Sequence, residues 1–442
     1  MSFLGRPRRR LGRWGLLGLV VGLAMGATIG AVASSRPTRV PDPRFLVLHP
    51  ASVLVGPDAP VSLIAGVLCR PSGSPACEVV SATAHVTTPR GTWRLLPGAR
   101  EEGGYRFTVP AELVPDDGFS YWLEFETATG ASATYPSGGR ADPIRVRTTA
   151  GLPIAKVAAF SWRDLSRPDA TALFLPYGSA PGQVGRTPGG ADLDPLGPSS
   201  FAVGPDGGIS VVDWVNDRIE VFSRRGRLAR TLPTPVHRTM DLAVDGDGSL
   251  ELLTLGAEAV DYRVSATDGR VLGSSRITVG VATRVEPGPA GPSVLVGPGQ
   301  WASAREPGGS LTASDPTTGS AVSGEVGTGR LAVAWTRPDG TGTGAVLRLP
   351  PGVRVGSDYF VHLLPDGGAL IARGLWDDTH TAVGVFRLDA DGRPTGFSLL
   401  PEPTTEQDAR LSTVRWQAPG AILVAYARPG GVAIERFEVV GP

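Results

Sequence analysis

From Pro198 to Gly226 the chain alternates short apolar runs with turn formers. Phe201-Ala-Val203 and Ile209-Ser-Val-Val-Asp213 flank Pro205-Asp206-Gly207-Gly208, Trp214-Val-Asn216-Asp217 leads into Arg218-Ile-Glu-Val-Phe222, and Ser223-Arg-Arg-Gly226 ends the unit. Apolar runs of this length between Asp-Gly and Gly turns predict an antiparallel meander. The unit recurs. Leu242-Ala-Val-Asp-Gly-Asp247-Gly248 repeats Phe201-Ala-Val-Gly-Pro-Asp206-Gly207 at an offset of 41, and Pro365-Asp366-Gly367-Gly368 repeats Pro205–Gly208 at 160, or four units of 40. Gly226-Arg227, Gly269-Arg270 and Gly392-Arg393 mark a second recurring point, and Trp416 to Tyr426 reads as a last, degenerate copy. Several strands per unit at a period of about 40 predict blades stacked round an axis, because one such sheet cannot bury both faces alone. Counting from Phe201 to Pro442 predicts six blades, with weak markers between 281 and 350. The segment 155–178 precedes the first full copy and is expected to add strand material to the last blade, leaving the ring without an open edge.

The strand, Asp-Gly turn, strand, Asp213-x-x-Asn216-x-Arg218 turn and strand together resemble the NHL repeat, the blade unit of a β-propeller family. The resemblance implies a propeller over 152–442, in which Asp213, Asn216 and Arg218 tie a turn to neighbouring backbone. Ahead of it, Gly104-Tyr-Arg-Phe-Thr-Val109 and Phe119-Ser-Tyr-Trp-Leu-Glu-Phe-Glu126 resemble the later strands of immunoglobulin-like or fibronectin-III-like modules. Phe119, Tyr121, Leu123 and Phe125 share one strand face, so a β-sandwich is expected over 45–149. The fold class expected is all-β: an N-terminal signal or anchor helix (1–33), a Pro-rich linker (34–44), the sandwich, then a six-bladed propeller.

The leader follows from charge. Arg6, Arg8, Arg9, Arg10 and Arg13 precede an uncharged run from Trp14 to Ala33. About 20 apolar residues span a bilayer, and the basic flank keeps the N-terminus inside. The run ends in Ala31-Val-Ala33, a pattern that signal peptidase cuts. The expected localisation is extracytoplasmic, either single-pass anchored or secreted after cleavage near Ala33. Cys69 and Cys77, the only cysteines, are separated by Arg-Pro-Ser-Gly-Ser-Pro-Ala, and in an exported chain are expected to form a disulfide.

Formal net charge is zero, so no long-range field draws nucleic acid. The Gly-rich stretch 178–190 lacks G-K-[ST], and Asp245–Glu251 lacks the Gly and Glu positions of a calcium loop. There is no G-x-S-x-G elbow, and no catalytic residue is assigned. No cofactor is expected, with one exception: His237, His362 and His380 would hold a channel metal ion if three blades brought them together. Trp214, Trp301, Trp335 and Trp376 are the candidates for a binding face. The expected function is recognition or scaffolding at the cell envelope, with a protein, peptide or glycan as partner and the membrane contacted through the N-terminal helix. The alternative is a propeller lyase or hydrolase with a metal in its channel.

Overall fold

The computed structural model describes residues 44–438, apart from 50–53, 71–77, 190–195, 255–258, 278–281, 305–310, 313–320, 337–341, 404–412 and a few shorter stretches. The expected leader, the linker apart from Arg44 (which begins a strand) and Cys77 lie outside the described residues. Among the described residues no helix is long and apolar enough to cross a membrane. Cys69 sits on the strand Val61–Arg70, opposite Phe45.

Residues 44–148 form two sheets. One orders Arg44–Leu48, Val61–Arg70, Gly104–Val109 and Ala99–Glu101. The other orders Leu54–Val55, Ile144–Thr148, Phe119–Thr127, Val79–Thr87 and Arg94–Pro97, with Ser132–Tyr135 paired to Phe119–Thr127. Their inner faces share one core, in which Leu63 and Phe107 from the first sheet meet Ala84, Tyr121, Leu123 and Phe125 from the second. This two-sheet body is a β-sandwich. Its core runs on into the propeller, where Ala332, Ala334 and Val346 belong to the same buried cluster.

Six four-stranded sheets follow. Blade 1 is Ser200–Val203, Ile209–Asp213, Arg218–Phe222 and Leu228–Pro233, written from the innermost strand outward. Blade 2 runs from Thr239–Val244 to Val271–Arg276, blade 3 from Arg284–Glu286 to Leu311–Thr312, and blade 5 from Arg354–Leu363 to Pro394–Pro401. The innermost strand of blade 6, Val414–Gln417, packs against those of blades 5 and 1, so the last blade meets the first. The chain is a β-propeller on its own topology.

Two blades borrow their outer strand, and the segment 155–178 supplies the last blade as expected, through Ala170–Pro176. Ala170–Pro176 pairs antiparallel with Gly431–Glu438 and completes blade 6. Ile154–Lys156 goes elsewhere: it pairs parallel with Gly342–Arg348 and completes blade 4. Without it the third strand of blade 4 would present an unpaired backbone edge.

The repeated sequence signals have a common geometry. Asp206, Asp247 and Asp366 each accept the amide two residues on, at 2.9, 2.9 and 3.0 Å. The glycine between takes φ of +78°, +82° and +82°, a conformation other residues adopt at a cost. Each outer strand of blades 1, 2 and 5 also carries a bulge at the same place, with Ala229, Leu272 or Thr395 as the extra residue.

Candidate functional site

Innermost strands are covered by neighbouring blades, so any charged side chain on them must find an internal partner. Blades 2, 3 and 6 supply such groups to one cluster, and blade 1 adds the Ser200 hydroxyl and the Phe201 carbonyl. Asp241 on blade 2 is wholly buried. Its Oδ1 accepts the Ser200 hydroxyl of blade 1 at 2.5 Å, and its Oδ2 accepts the Val285 amide of blade 3 at 2.8 Å. Glu286 of blade 3 accepts Arg284 Nε at 2.7 Å and also Arg415 Nη1 from blade 6. Arg415 donates further to the Phe201 carbonyl at 2.9 Å and the Leu242 carbonyl at 2.8 Å, with Asp241 Oδ1 3.5 Å away. One guanidinium thus touches blades 1, 2 and 3 from blade 6.

Burial alone would raise the Glu286 carboxyl, but Arg415 and Arg284 outweigh it and hold the group below the usual carboxylate range. Two guanidinium groups face two carboxylates, and the guanidiniums keep their protons at any ordinary pH. The cluster is therefore internally compensated, with Glu286 ionised, and its chemistry is that of a lock joining blades.

A second cluster lies at the seam where the chain passes from blade 6 to blade 1. Asp213 accepts the Gly185 amide at 2.8 Å, Asn216 Nδ2 at 2.7 Å and Arg218 Nε at 2.9 Å. Arg218 also donates to the carbonyls of Ser179, Ala180 and Gln183 at 2.7–2.9 Å, and Asn216 donates to that of Gly178 at 3.0 Å. Glu220 stands 3.0 Å from Arg218 and takes the Thr231 hydroxyl at 2.8 Å. These polar groups clasp the loop 178–185 onto blade 1.

The three histidines occupy separate settings. His237 is exposed, 2.7 Å from Asp217. His362 stacks on Trp416 at 4.6 Å between blades 5 and 6, and burial lowers its pKa. His380 lies on the turn 377–380, stacked on Trp162 at 5.5 Å and bonded to Asp377. The ring does not bring them together, because each falls at a different point of its blade, and among the described residues no group of three potential ligands could hold a metal.

The tryptophans divide in two. Trp335 is buried, and its Nε1 donates to the Gly367 carbonyl of blade 5 at 3.0 Å. Trp301 is buried under Arg284. Neither presents a ring to a partner, which corrects their place on the expected binding face: both serve packing in or between blades. Trp214 and Trp376 are half-buried, the latter beneath Arg354 at 4.7 Å. Between blades 1 and 6 lies a cavity of about 30 Å³, lined by Leu175, Phe201, Thr413 and Ile434 among others. A water needs roughly 10–15 Å³ of such space, so it takes a solvent molecule or two and no substrate.

No protein-family model matches the chain, and no curated protein does. Solved structures similar to it are propeller folds and others. A streptogramin B lyase is 10% identical over 88% of this chain and 97% of its own, with a TM-score of 0.22. The Cps50 (Swd1) β-propeller domain of Myceliophteria thermophila is 10% identical over 55% of this chain and 97% of its own, at 0.31. A protein of unknown function from Bacteroides caccae is 16% identical over 46% and 81%, at 0.30. Scores this low carry no argument about activity, and the propeller rests on its own strand order.

The lock was missed in the sequence because its members are 129 and 174 residues apart along the chain in the pairs Arg415–Glu286 and Arg415–Asp241. A local signal did exist: Asp241 interrupts the apolar run of its innermost strand, and Glu286 and Arg415 sit on innermost strands where burial is expected.

Proposed function

We propose that this protein is an extracytoplasmic recognition or scaffold protein of the cell envelope, with an immunoglobulin- or fibronectin-III-like sandwich carrying an NHL-like propeller. Its partner is an envelope protein, peptide or glycan rather than nucleic acid. The N-terminal apolar run holds it to the membrane, or is removed near Ala33 on export. The observation that carries this reading is the fusion of sandwich and propeller into one body. They share a buried core, and the strand leaving the sandwich becomes part of blade 4. A jointed pair of modules would have a free linker there. A fused pair instead presents loops and strand edges at fixed relative positions, which is what a scaffold requires.

The test is cross-linking in the intact envelope followed by native mass spectrometry of the purified protein. A stoichiometric macromolecular partner is the expected result. A retained metal ion or small molecule, with no such partner, would replace this reading with the channel-enzyme alternative.

A further inference from the structure

Blades 1 and 5 close their outer hairpins with the same turn and blade 2 with one a residue longer, and the turns of blades 2 and 5 carry a carboxylate. Asp268 lies 4.0 Å from Arg270 on blade 2, and Asp391 lies 3.9 Å from Arg393 on blade 5. On blade 1 the same turn reads Ser223-Arg-Arg-Gly-Arg227 and continues into Leu228-Ala-Arg230. The turn forms with an acid elsewhere, so its backbone does not require three arginines. Arg224, Arg225, Arg227 and Arg230 are all exposed, and none makes an ion pair among the described residues. Arg224 lays its stem along Gly207, and Arg230 donates only to the Ala266 carbonyl at 3.1 Å. Asp206, on the neighbouring hairpin, is occupied with the Gly208 amide. Leu228, between Arg227 and Arg230 in the sequence, stands 38% exposed. The strand Leu228–Pro233 is the outermost of its sheet, so among the described residues its far edge has no partner strand.

We propose that this hairpin and strand of blade 1 dock an acidic, extended segment of a partner protein. The inference rests on the recognition reading above and deepens it. Four uncompensated guanidiniums in a chain of zero net charge make a local positive field, and their planar forks match carboxylates. The compensated turn of blade 2 bounds the patch, so the footprint is one hairpin wide. An anionic membrane would call for a broad basic face. A short run of Glu or Asp with an apolar residue to meet Leu228 fits the footprint.

The experiment uses the full-length protein and a labelled peptide of alternating Glu and Thr with one Leu, read by fluorescence anisotropy at low and physiological salt. Saturable binding that weakens as salt rises is expected. The variant R224Q/R225Q/R227Q/R230Q should bind roughly tenfold to hundredfold more weakly with an unchanged melting curve, and Arg393→Gln should bind as wild type. Equal binding by the quadruple variant, or by a peptide with Gln for Glu, overturns the inference. So does tighter binding to phosphatidylglycerol vesicles than to the peptide. If envelope cross-linking recovers the same partner with the quadruple variant, this surface is wrong while the recognition reading stands. If wild type recovers no partner, the recognition reading falls whatever the peptide does.

Discussion

Replacing Arg415 by Met would keep the length and most of the packing of that side chain while removing its charge and every donor. The Phe201 and Leu242 carbonyls would lose their guanidinium partner, and Glu286 would keep Arg284 alone. Removing one member of a buried pair costs about 3–5 kcal/mol. The orphaned carbonyls overlap with that figure rather than add to it. Against a total stability of about 5–15 kcal/mol, this is a large share. The assay is urea unfolding followed by tryptophan fluorescence, repeated down to about pH 4. The folded Glu286 pKa lies below its unfolded value, so its contribution is fully present above the unfolded pKa and is lost as pH falls through the folded one. In Arg415→Met, burial acts against one guanidinium fewer, so the acid loss should begin at higher pH than in wild type. Adding Glu286→Gln should recover part of the deficit. A variant within about 1 kcal/mol of wild type at pH 7, with an unchanged acid limb, would refute the idea that this cluster locks the ring.

Other outcomes follow from the same reasoning. His49 is buried in the sandwich, within 2.6 Å of both the Ile64 carbonyl and the Tyr121 hydroxyl, and burial lowers its pKa from 6.5 to about 4. Because the unfolded chain binds the proton first, about 3 kcal/mol of stability should drain away as pH falls from 6.5 to 4, and the melting curves of His49→Gln should fall less steeply than those of wild type in that window, His362 still contributing. At Gly392 φ is +79°, and a Cβ would stand 2.1 Å from the Gly344 carbonyl oxygen of blade 4. At Gly430 φ is +84°, with open space around it. Gly430→Ala should cost about 1 kcal/mol and Gly392→Ala about 2–4 kcal/mol in chemical denaturation, and equal values would deny the close approach. Asp213→Ala leaves Arg218 without one of its two carboxylate partners and frees the Gly185 amide. Hydrogen exchange in 178–185 should accelerate at least tenfold, with blade 5 unaffected.

What the sequence discloses here is whatever is periodic. The Asp-Gly turns at 206, 247 and 366 and the glycines at 226, 269 and 392 place blades 1, 2 and 5 because each position carries a local backbone requirement. Blade 3 is quieter, since no Asp-Gly pair falls between Arg284 and Thr312. Sharing of strands between blades is harder to read. Ile154–Lys156 is three residues long, and nothing in Ile-Ala-Lys names Gly342–Arg348 as its partner. The site is the least legible part, because Arg415, Glu286 and Asp241 acquire meaning only when the ring sets four blades side by side. The tryptophans misled for a related reason: an aromatic near a strand end serves packing or recognition equally well until its neighbours are known, and Trp335 turns out to face Gly367.

Strand borrowing has a consequence for how the molecule is made. Ile154–Lys156 and Ala170–Pro176 emerge from the ribosome early, yet their partners at Gly342–Arg348 and Gly431–Glu438 come nearly two hundred residues or more later. Until synthesis is almost complete, two strands that leave a finished sandwich must wait with open backbone edges, while blades 1 to 3 form beside them. Such long-range pairing is slow to close and exposes strands that other chains can capture. Under the proposed export, delivery of the whole chain unfolded before the ring shuts would remove the interval in which those edges are vulnerable.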